Sequence, residues 1–296
     1  QMDTQVAWEM HKVDEAQASI YILAGDNASE MADILPTTLE SSRLASEPLL
    51  ALMLTKRWVL LRYPTAAAAQ AAGMSTEAFE DFCLSVSTLD YARMSLAMDP
   101  LVELMERTDR VRVVSPGTDL RFSIDGIPVV KAAGNNNIPD GEVFTSPVRE
   151  SVEGTIEFNT PSLEDGTTFE GVRLTFERGK VVDAHANEPE KLARMLDTDS
   201  GSRYLGEFAL GVNPAITKPM KDTLYDEKIG GSLHLALGRA YDDAGNGNVS
   251  SVHWDLVLIQ TPEWGGGEIW FDDVLIRKDG RFVLPALQGL NPENLL

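Results

Sequence analysis

From about Asp109 to the end of the chain, apolar residues recur at every second position in short runs cut by Gly, Asp and Pro. This period of two is the strongest constraint on the fold. Successive strand side chains face opposite ways, so each run must be a strand with one face on a core. "VRLTFERGKVVDAHA" reads as a hairpin with Gly179 in its turn, and "GEIWFDDVLIRKDGRFVLP" as another turning at Asp279-Gly280. Gly and Asp tolerate the left-handed backbone that tight hairpin turns require. Only "EPEKLARML" is firmly helical here. Residues 109–296 are therefore expected to form an α+β, mainly antiparallel, domain without internal repeats.

Residues 1–108 have another texture. "ASIYILA" at 18–24 and "RWVLLRYP" at 57–64 are continuous apolar runs of the kind that make buried strands. After the first, "AGDNASEMADI" offers the Asp, Asn and Ser that open helices, and a helix is expected from about Pro36 to Lys56. "AAAAQAAGMSTEAFEDFCLSV" predicts a helix broken at Gly73 and a second one opened by Ser75. Leu101, Leu104 and Met105 keep the spacing of one apolar helix face. Strands alternating with helices indicate an α/β domain, with its boundary near residue 108.

The chemistry concentrates in "GGSLHLALGRAYDDAGNGNVSSVHWDLVL", which holds two of the chain's 4 histidines. By alternation, Leu233, Leu235 and Leu237 pack one way while Ser232, His234 and Ala236 face the other. Likewise Val252, Trp254 and Leu256 point to a core, and His253, Asp255 and Val257 point away from it. His253 and Asp255 are then about 7 Å apart along their strand, within reach of a shared ion or of a simple charge pair. Glu142 follows a Pro-Asp-Gly turn, and Glu207 sits in the apolar "SRYLGEFALGVNP". Burying an unpaired carboxylate costs several kcal/mol, and a bound divalent cation removes that cost. His185 alternates with Asp183 as a solvated pair, and His11 lies in a polar opening segment, so neither is given a role.

Other chemistries lack their motifs. There is no H-E-x-x-H and no G-x-S-x-G, and "GNGNVS" at 245–250 lacks the third glycine of a dinucleotide loop. The glycines at 265–267 suit a tight turn. A formal charge of -21, from 46 acidic against 25 basic residues, repels phosphate backbones and anionic lipid, so nucleic acid and membrane are excluded as partners. The longest apolar stretch, around Leu49 to Leu54, is cut by Lys56 and Arg57, far short of the ~20 residues that span a bilayer. Cys83 is the single cysteine, which rules out an internal disulfide or a thiolate cluster. It is expected as a buried structural thiol in a cytoplasmic protein.

"IPDGEVFTSP", "LGEFALGVNP", "DEKIGGSLHLALG" and "SVHWDLV", in this order and spacing, resemble the aminopeptidase T family of thermophile-type leucyl metalloaminopeptidases. "YPTAAAAQAAGMSTEAFEDF" resembles that family's first domain, and the likeness runs from about residue 18 to 284. The resemblance implies a cytoplasmic, homodimeric exopeptidase that uses two divalent metal ions, zinc or cobalt, to remove N-terminal residues from peptides with a free N-terminus. Carried over, it makes Glu142, Glu207, His234, His253 and Asp255 metal ligands. It also makes Tyr241 a sixth metal ligand, at or beside the site, and gives Glu207 and Tyr241 catalytic roles. Family members have further βα units upstream, so the first domain is expected to be incomplete.

The donor set agrees with this on chemical grounds. Carboxylate and imidazole without thiolate suit Zn, Co or Mn, and two ions about 3.5–4 Å apart need a carboxylate between them. Whether Glu207 bridges, acts as general base or does both stays open, as does the identity of the carboxylate that meets the substrate ammonium. Two other classes compete. Mononuclear iron ring-cleaving dioxygenases of hydroxypyridine type resemble the second domain, but Glu142 and Glu207 favour the dinuclear peptidase. A non-catalytic truncated relative is the other, and the intact ligand set argues against it.

Overall fold

The computed structural model describes residues 2–296, and all their side chains except those of Met2, Asp3, Pro36, Thr37 and Glu40. The chain opens with α1 (Met2–Glu15), β1 (Ala18–Leu23), α2 (Pro36–Leu54) and β2 (Arg57–Arg62). β1 and β2 pair in parallel, Ala18 opposite Arg57 through Leu23 opposite Arg62, with α2 as the crossover. Two expectations are corrected here. "AGDNASEMADI" forms no helix: Asn27 Oδ1 accepts the Ser29 amide at 3.0 Å, a local turn that competes with helical bonding. The helix itself starts at Pro36 as expected, where the fixed φ of proline suits a first turn. Nor is β1 buried. It is the sheet's edge strand, and its Ile20 and Ile22 are 70% and 59% exposed, on a face that no described residue covers.

Next come α3 (Ala66–Ala71), α4 (Thr76–Ser87) and α5 (Tyr91–Met105). Each begins at a side-chain cap: Thr65 Oγ1 accepts from the Ala68 amide, Ser75 Oγ from Ala78 and Asp90 Oδ1 from Arg93. Gly73, at φ +66°, takes the left-handed turn between the first two, where other residues are strained. α5 buries Met94, Met98, Leu101 and Met105.

The rest is mainly strand. β3 (Arg110–Ser115), β4 (Thr118–Ser123), β5 (Val130–Ala132), β6 (Asn137–Ile138), β7 (Glu142–Thr145) and β8 (Glu153–Glu157) come first. They are followed by β9 (Ser162–Glu164), β10 (Thr167–Phe169), β11 (Arg173–Glu177), β12 (Lys180–His185) and α6 (Pro189–Leu196). Then come β13 (Leu205–Gly211), α7 (Thr223–Asp226), β14 (Ser232–Gly238), β15 (His253–Ile259), β16 (Glu268–Phe271), β17 (Val274–Lys278), β18 (Arg281–Phe282) and α8 (Pro292–Leu295). The expected hairpins form: Arg178-Gly179 and Asp279-Gly280 both take positive φ, as does Asp272-Asp273 between β16 and β17.

Two antiparallel sheets result, one of eight strands in the order β12-β11-β8-β4-β3-β16-β17-β18 and one of five, β15-β14-β13-β7-β5. Their inner faces share a core in which Val111, Val113, Leu120 and Phe122 meet Phe208, Leu210, Leu235 and Leu256, with the apolar stripe of α5 joined to it. Each such side chain contributes about 1.5–3 kcal/mol by leaving water. The five-stranded sheet is also covered on its other face, where Val257 and Ile259 pack with Phe79, Cys83 and Val86 of α4 and with Tyr225 and Ile229. Cys83 is the buried thiol expected, 3.2 Å from the Tyr225 hydroxyl, and burial pushes its pKa up. β6 leaves both antiparallel sheets and pairs in parallel with β2, joining the small sheet.

Candidate metal centre

Five of the six sequence-predicted ligands, all but Tyr241, lie on strands of the five-stranded sheet and on this second face. The register shows why: Glu142 stands opposite Gly211, Glu207 and Asp255 both stand opposite Ala236, His234 stands opposite Ala209, and His253 stands opposite Gly238. Gly or Ala occupies each of these facing positions, with Val257 on the other side of His234, so the long polar side chains have room to converge above the small residues. Their neighbours Val143, Phe208, Leu233, Leu235, Trp254 and Leu256 point into the core. A one-residue slip would exchange the two sets, and the core therefore holds the register.

Both imidazoles are oriented in the same way. His234 Nδ1 lies 3.2 Å from the Glu227 carbonyl oxygen, and His253 Nδ1 lies 2.8 Å from that of Arg239. A carbonyl only accepts, so each Nδ1 donates and each Nε2 is turned toward the acids. His234 Nε2 is 3.1 Å from Glu207 Oε1, 3.4 Å from Glu142 Oε2 and 3.8 Å from Asp255 Oδ1. His253 Nε2 is 3.5 Å from Asp255 Oδ2 and 3.6 Å from Glu207 Oε2. Burial opposes a charge on His234, but the Glu207 hydrogen bond and the charges of Glu142, Glu207 and Asp255 prevail and push its pKa up to about 10. His253 is raised too, against its burial, by Asp255 and Glu207. The site demands positive charge where the two Nε2 atoms point.

The acids are short of partners. Glu142 Oε2, Glu207 Oε2 and Asp255 Oδ1 are fully buried and receive no hydrogen bond. Orphaned carboxylate oxygens are among the costliest groups to bury, and three in one place suit the binding of a cation. The donors also group well. Single ligand atoms of Glu142, Glu207 and His234 lie within 4.8 Å of one another, as do those of Glu207, His253 and Asp255, and those of Glu227, His234 and Asp255. Glu207 belongs to the first two groups. Oxygen and imidazole donors at this spacing fit divalent metal ions.

Tyr241 packs its ring 4.7 Å from that of His253 and 6.0 Å from Phe144. It keeps 43% of its surface exposed, yet desolvation of the hydroxyl and the nearby charges of Glu207 and Asp255 push the phenol pKa well up.

Sequence reasoning missed Glu227 and Lys228, which follow α7. Lys228 is wholly buried, its Nζ 2.6 Å from Glu142 Oε1 and 3.8 Å from Asp140 Oδ1, and it also donates to Glu227 Oε1. Glu142 is raised by burial against the pull of Lys228, and Glu227 is raised to about 7 in the same way. No periodic pattern marks a loop pair of this kind. The available signal was the charged run Asp226-Glu227-Lys228 just ahead of the strand that carries His234. Glu164 of β9 is a more distant acid, raised to about 7 mainly by burial and paired with Arg43 at 3.4 Å.

The residues set aside lie elsewhere. His185 and Asp183 form an exposed pair at 3.0 Å, and His11 is exposed on α1. In the "GNGNVS" loop, the Asn246 amide donates to the carbonyls of Pro147 and Leu205, and the Asn248 amide to those of Gly201 and Gly238. These side chains hold the loop against the sheet.

The profile of the thermophilic metalloprotease (M29) family matches residues 1–282. Aminopeptidase T of Thermus thermophilus is 40% identical over 169 residues, which are 48% of this chain and 41% of that relative. Aminopeptidase 2 of Geobacillus stearothermophilus is 42% identical over 166 residues, 50% of this chain and 38% of its own. The matched stretches thus span less than half the length of these relatives. Among solved structures, wild-type AmpT from Thermus thermophilus shares the α/β fold with mostly antiparallel sheets, with a TM-score of 0.76 and 26% identity over 95% of this chain and 80% of that one. The 2,5-dihydroxypyridine dioxygenase of Pseudomonas putida KT2440 has a TM-score of 0.58 at 17% identity over 97% of both chains, a likeness of fold alone.

Proposed function

Because the chain belongs to the thermophilic metalloprotease (M29) family, we propose that it is a metal-dependent aminopeptidase that hydrolyses the N-terminal bond of peptides at a pair of divalent cations. The observation that carries this is the convergence of three buried, unbonded carboxylate oxygens on two imidazole Nε2 atoms already oriented by backbone carbonyls. The aminopeptidase names of the relatives support the reaction class. Glu142 and His234 would hold one ion, His253 and Asp255 the other, and Glu207, common to both groups, would sit between them. Zinc, cobalt and manganese all suit such donors.

Divalent ions, when bound, acidify water and polarise a carbonyl. The chain's own residues do the rest. The two backbone-anchored imidazoles fix the donor geometry, and Lys228 keeps Glu142 charged in a buried place. Glu207 would receive a proton from the attacking water, and the Tyr241 hydroxyl, beside His253, would donate toward a developing oxyanion. The one-iron dioxygenase alternative gives Glu142 and Glu207 no work.

Elemental analysis and leucyl-p-nitroanilide hydrolysis, on wild type and Glu207→Gln after reconstitution with excess zinc or cobalt, test the proposal. The expected result is about two metals per chain with turnover, falling to about one metal and near-zero turnover in the variant. One metal in both proteins, with unchanged activity, overturns it. Among the described residues no helix is long and apolar enough to cross a membrane. A cytoplasmic homodimer acting on free peptides completes the proposal on the strength of the family resemblance, and light scattering at micromolar concentration checks the assembly.

A further inference from the structure

An aminopeptidase differs from other peptidases in recognising the substrate's α-ammonium, and that recognition needs a carboxylate that is not consumed by the metals or by the fold. Few acids near this centre qualify. Glu142, Glu207 and Asp255 carry the orphaned oxygens of the metal cluster. Asp140 is spent on the amides of Gly134 and Gly141 and on Lys228. Asp226 holds the amides of Met220 and Lys221, and Asp222 holds Arg62 and the Leu224 amide. Glu227 and Glu164 remain. Glu164 is drawn toward Arg43 and belongs to none of the close donor groups, whereas Glu227 has a carboxylate oxygen within 4.8 Å of ligand atoms of both His234 and Asp255.

Resting on the aminopeptidase reading, we propose that Glu227 is the carboxylate that receives the substrate's N-terminal ammonium and so sets the one-residue register of cleavage. Its placement is fixed at three points. The backbone amide caps α7 through the Thr223 carbonyl, the carbonyl anchors His234 Nδ1, and Oε1 takes a hydrogen bond from the buried Lys228. Oε1 carries the Lys228 hydrogen bond, and the side chain keeps 13% of its surface against 4–7% for Glu142, Glu207 and Asp255. The same residue thus orients a metal-ligand imidazole with its carbonyl and offers an acceptor at a set distance from it. With the metal ions held by the other acids, the Glu227 carboxylate would be left to face the ammonium.

The test compares L-leucyl-p-nitroanilide with 4-methylpentanoyl-p-nitroanilide, which lacks only the amine, on the zinc- or cobalt-loaded chain. Wild type should prefer the amine substrate strongly. In Glu227→Gln the KM for that substrate should rise about 10- to 150-fold, the loss of one charge-assisted hydrogen bond, with kcat changed far less. The preference over the amine-free substrate should collapse by the same factor. Glu227→Asp should recover part of it, elemental analysis should show the wild-type metal content in both, and Glu164→Gln should keep the full preference. Loss of a metal equivalent in Glu227→Gln, an unchanged preference, or a collapse in Glu164→Gln instead overturns the assignment. A wild type indifferent to the amine overturns the aminopeptidase reading itself, which separates the two failures.

Discussion

Replacing Lys228 by Met should destabilise the metal-free protein severely. The ammonium is fully buried and contacts the carboxylates of Glu142 and Glu227, with Asp140 close by. Met fills much of the same volume, so no cavity confuses the result, and the cost is that of leaving buried carboxylates without their partner. Breaking a buried pair costs about 3–5 kcal/mol, of the 5–15 kcal/mol that hold a typical domain folded. At roughly 2–4 °C per kcal/mol the melting temperature should fall by about 6–20 °C. Calorimetry on EDTA-treated protein measures this. The double variant with Glu227→Gln should recover part of the loss, because one orphaned charge goes with its partner. A loss under about 1 kcal/mol, or a double variant less stable than Lys228→Met by the full cost of each change, would refute the idea that this lysine neutralises the acids.

His234→Ala and His253→Ala should each strip metal and abolish turnover, whereas His11→Ala and His185→Ala, both exposed, should stay within about 0.5 kcal/mol of wild type in denaturant titrations. Trp254→Ala should cost about 3–5 kcal/mol, since the ring is 1% exposed, packs 4.8 Å from Phe169 and donates its Nε1–H to Ser162 at 2.8 Å. Burial raises the Asp199 pKa, but hydrogen bonds from the amides of Ser251 and Gly201 and from the Ser250 hydroxyl outweigh it and hold the carboxyl below its ordinary 3.8. A depressed carboxyl stabilises above its unfolded value and loses that stabilisation as pH falls through the folded one. The stability gap between wild type and Asp199→Asn should therefore be full at pH 5–6 and close below 3.8 in melts run across that range.

Much of the centre was legible because a strand's period is fixed. Once Leu233, Leu235 and Leu237 were placed on a core, His234 had to face away from it, and the same step set His253 and Asp255 against Trp254. Glu142 and Glu207 showed as acids in apolar company. What escaped was set by tertiary placement. Glu227 and Lys228 follow a one-turn helix, where no period relates a side chain to a face, and only the packing of α7 over the sheet brings them to Glu142 and His234. The exposure of Ile20 and Ile22 escaped for a related reason: an apolar run marks a strand, but its neighbours decide whether both faces are covered. The stretch at 25–35 offered helix-opening residues, and Asn27 used its side chain for a turn instead.

The parallel pairing of Leu60 with Asn137 and Leu61 with Ile138 has a consequence for synthesis. Roughly 75 residues separate the two strands, so at about 5–20 residues per second β2 leaves the ribosome some 4–15 s before β6 can meet it. During that interval Leu60 and Leu61 belong to an open strand edge, which other chains can add to. When β6 does dock, Glu142 is only a few residues behind it in the chain. The nascent protein thus closes its small sheet and delivers the first metal-binding strand in nearly the same act.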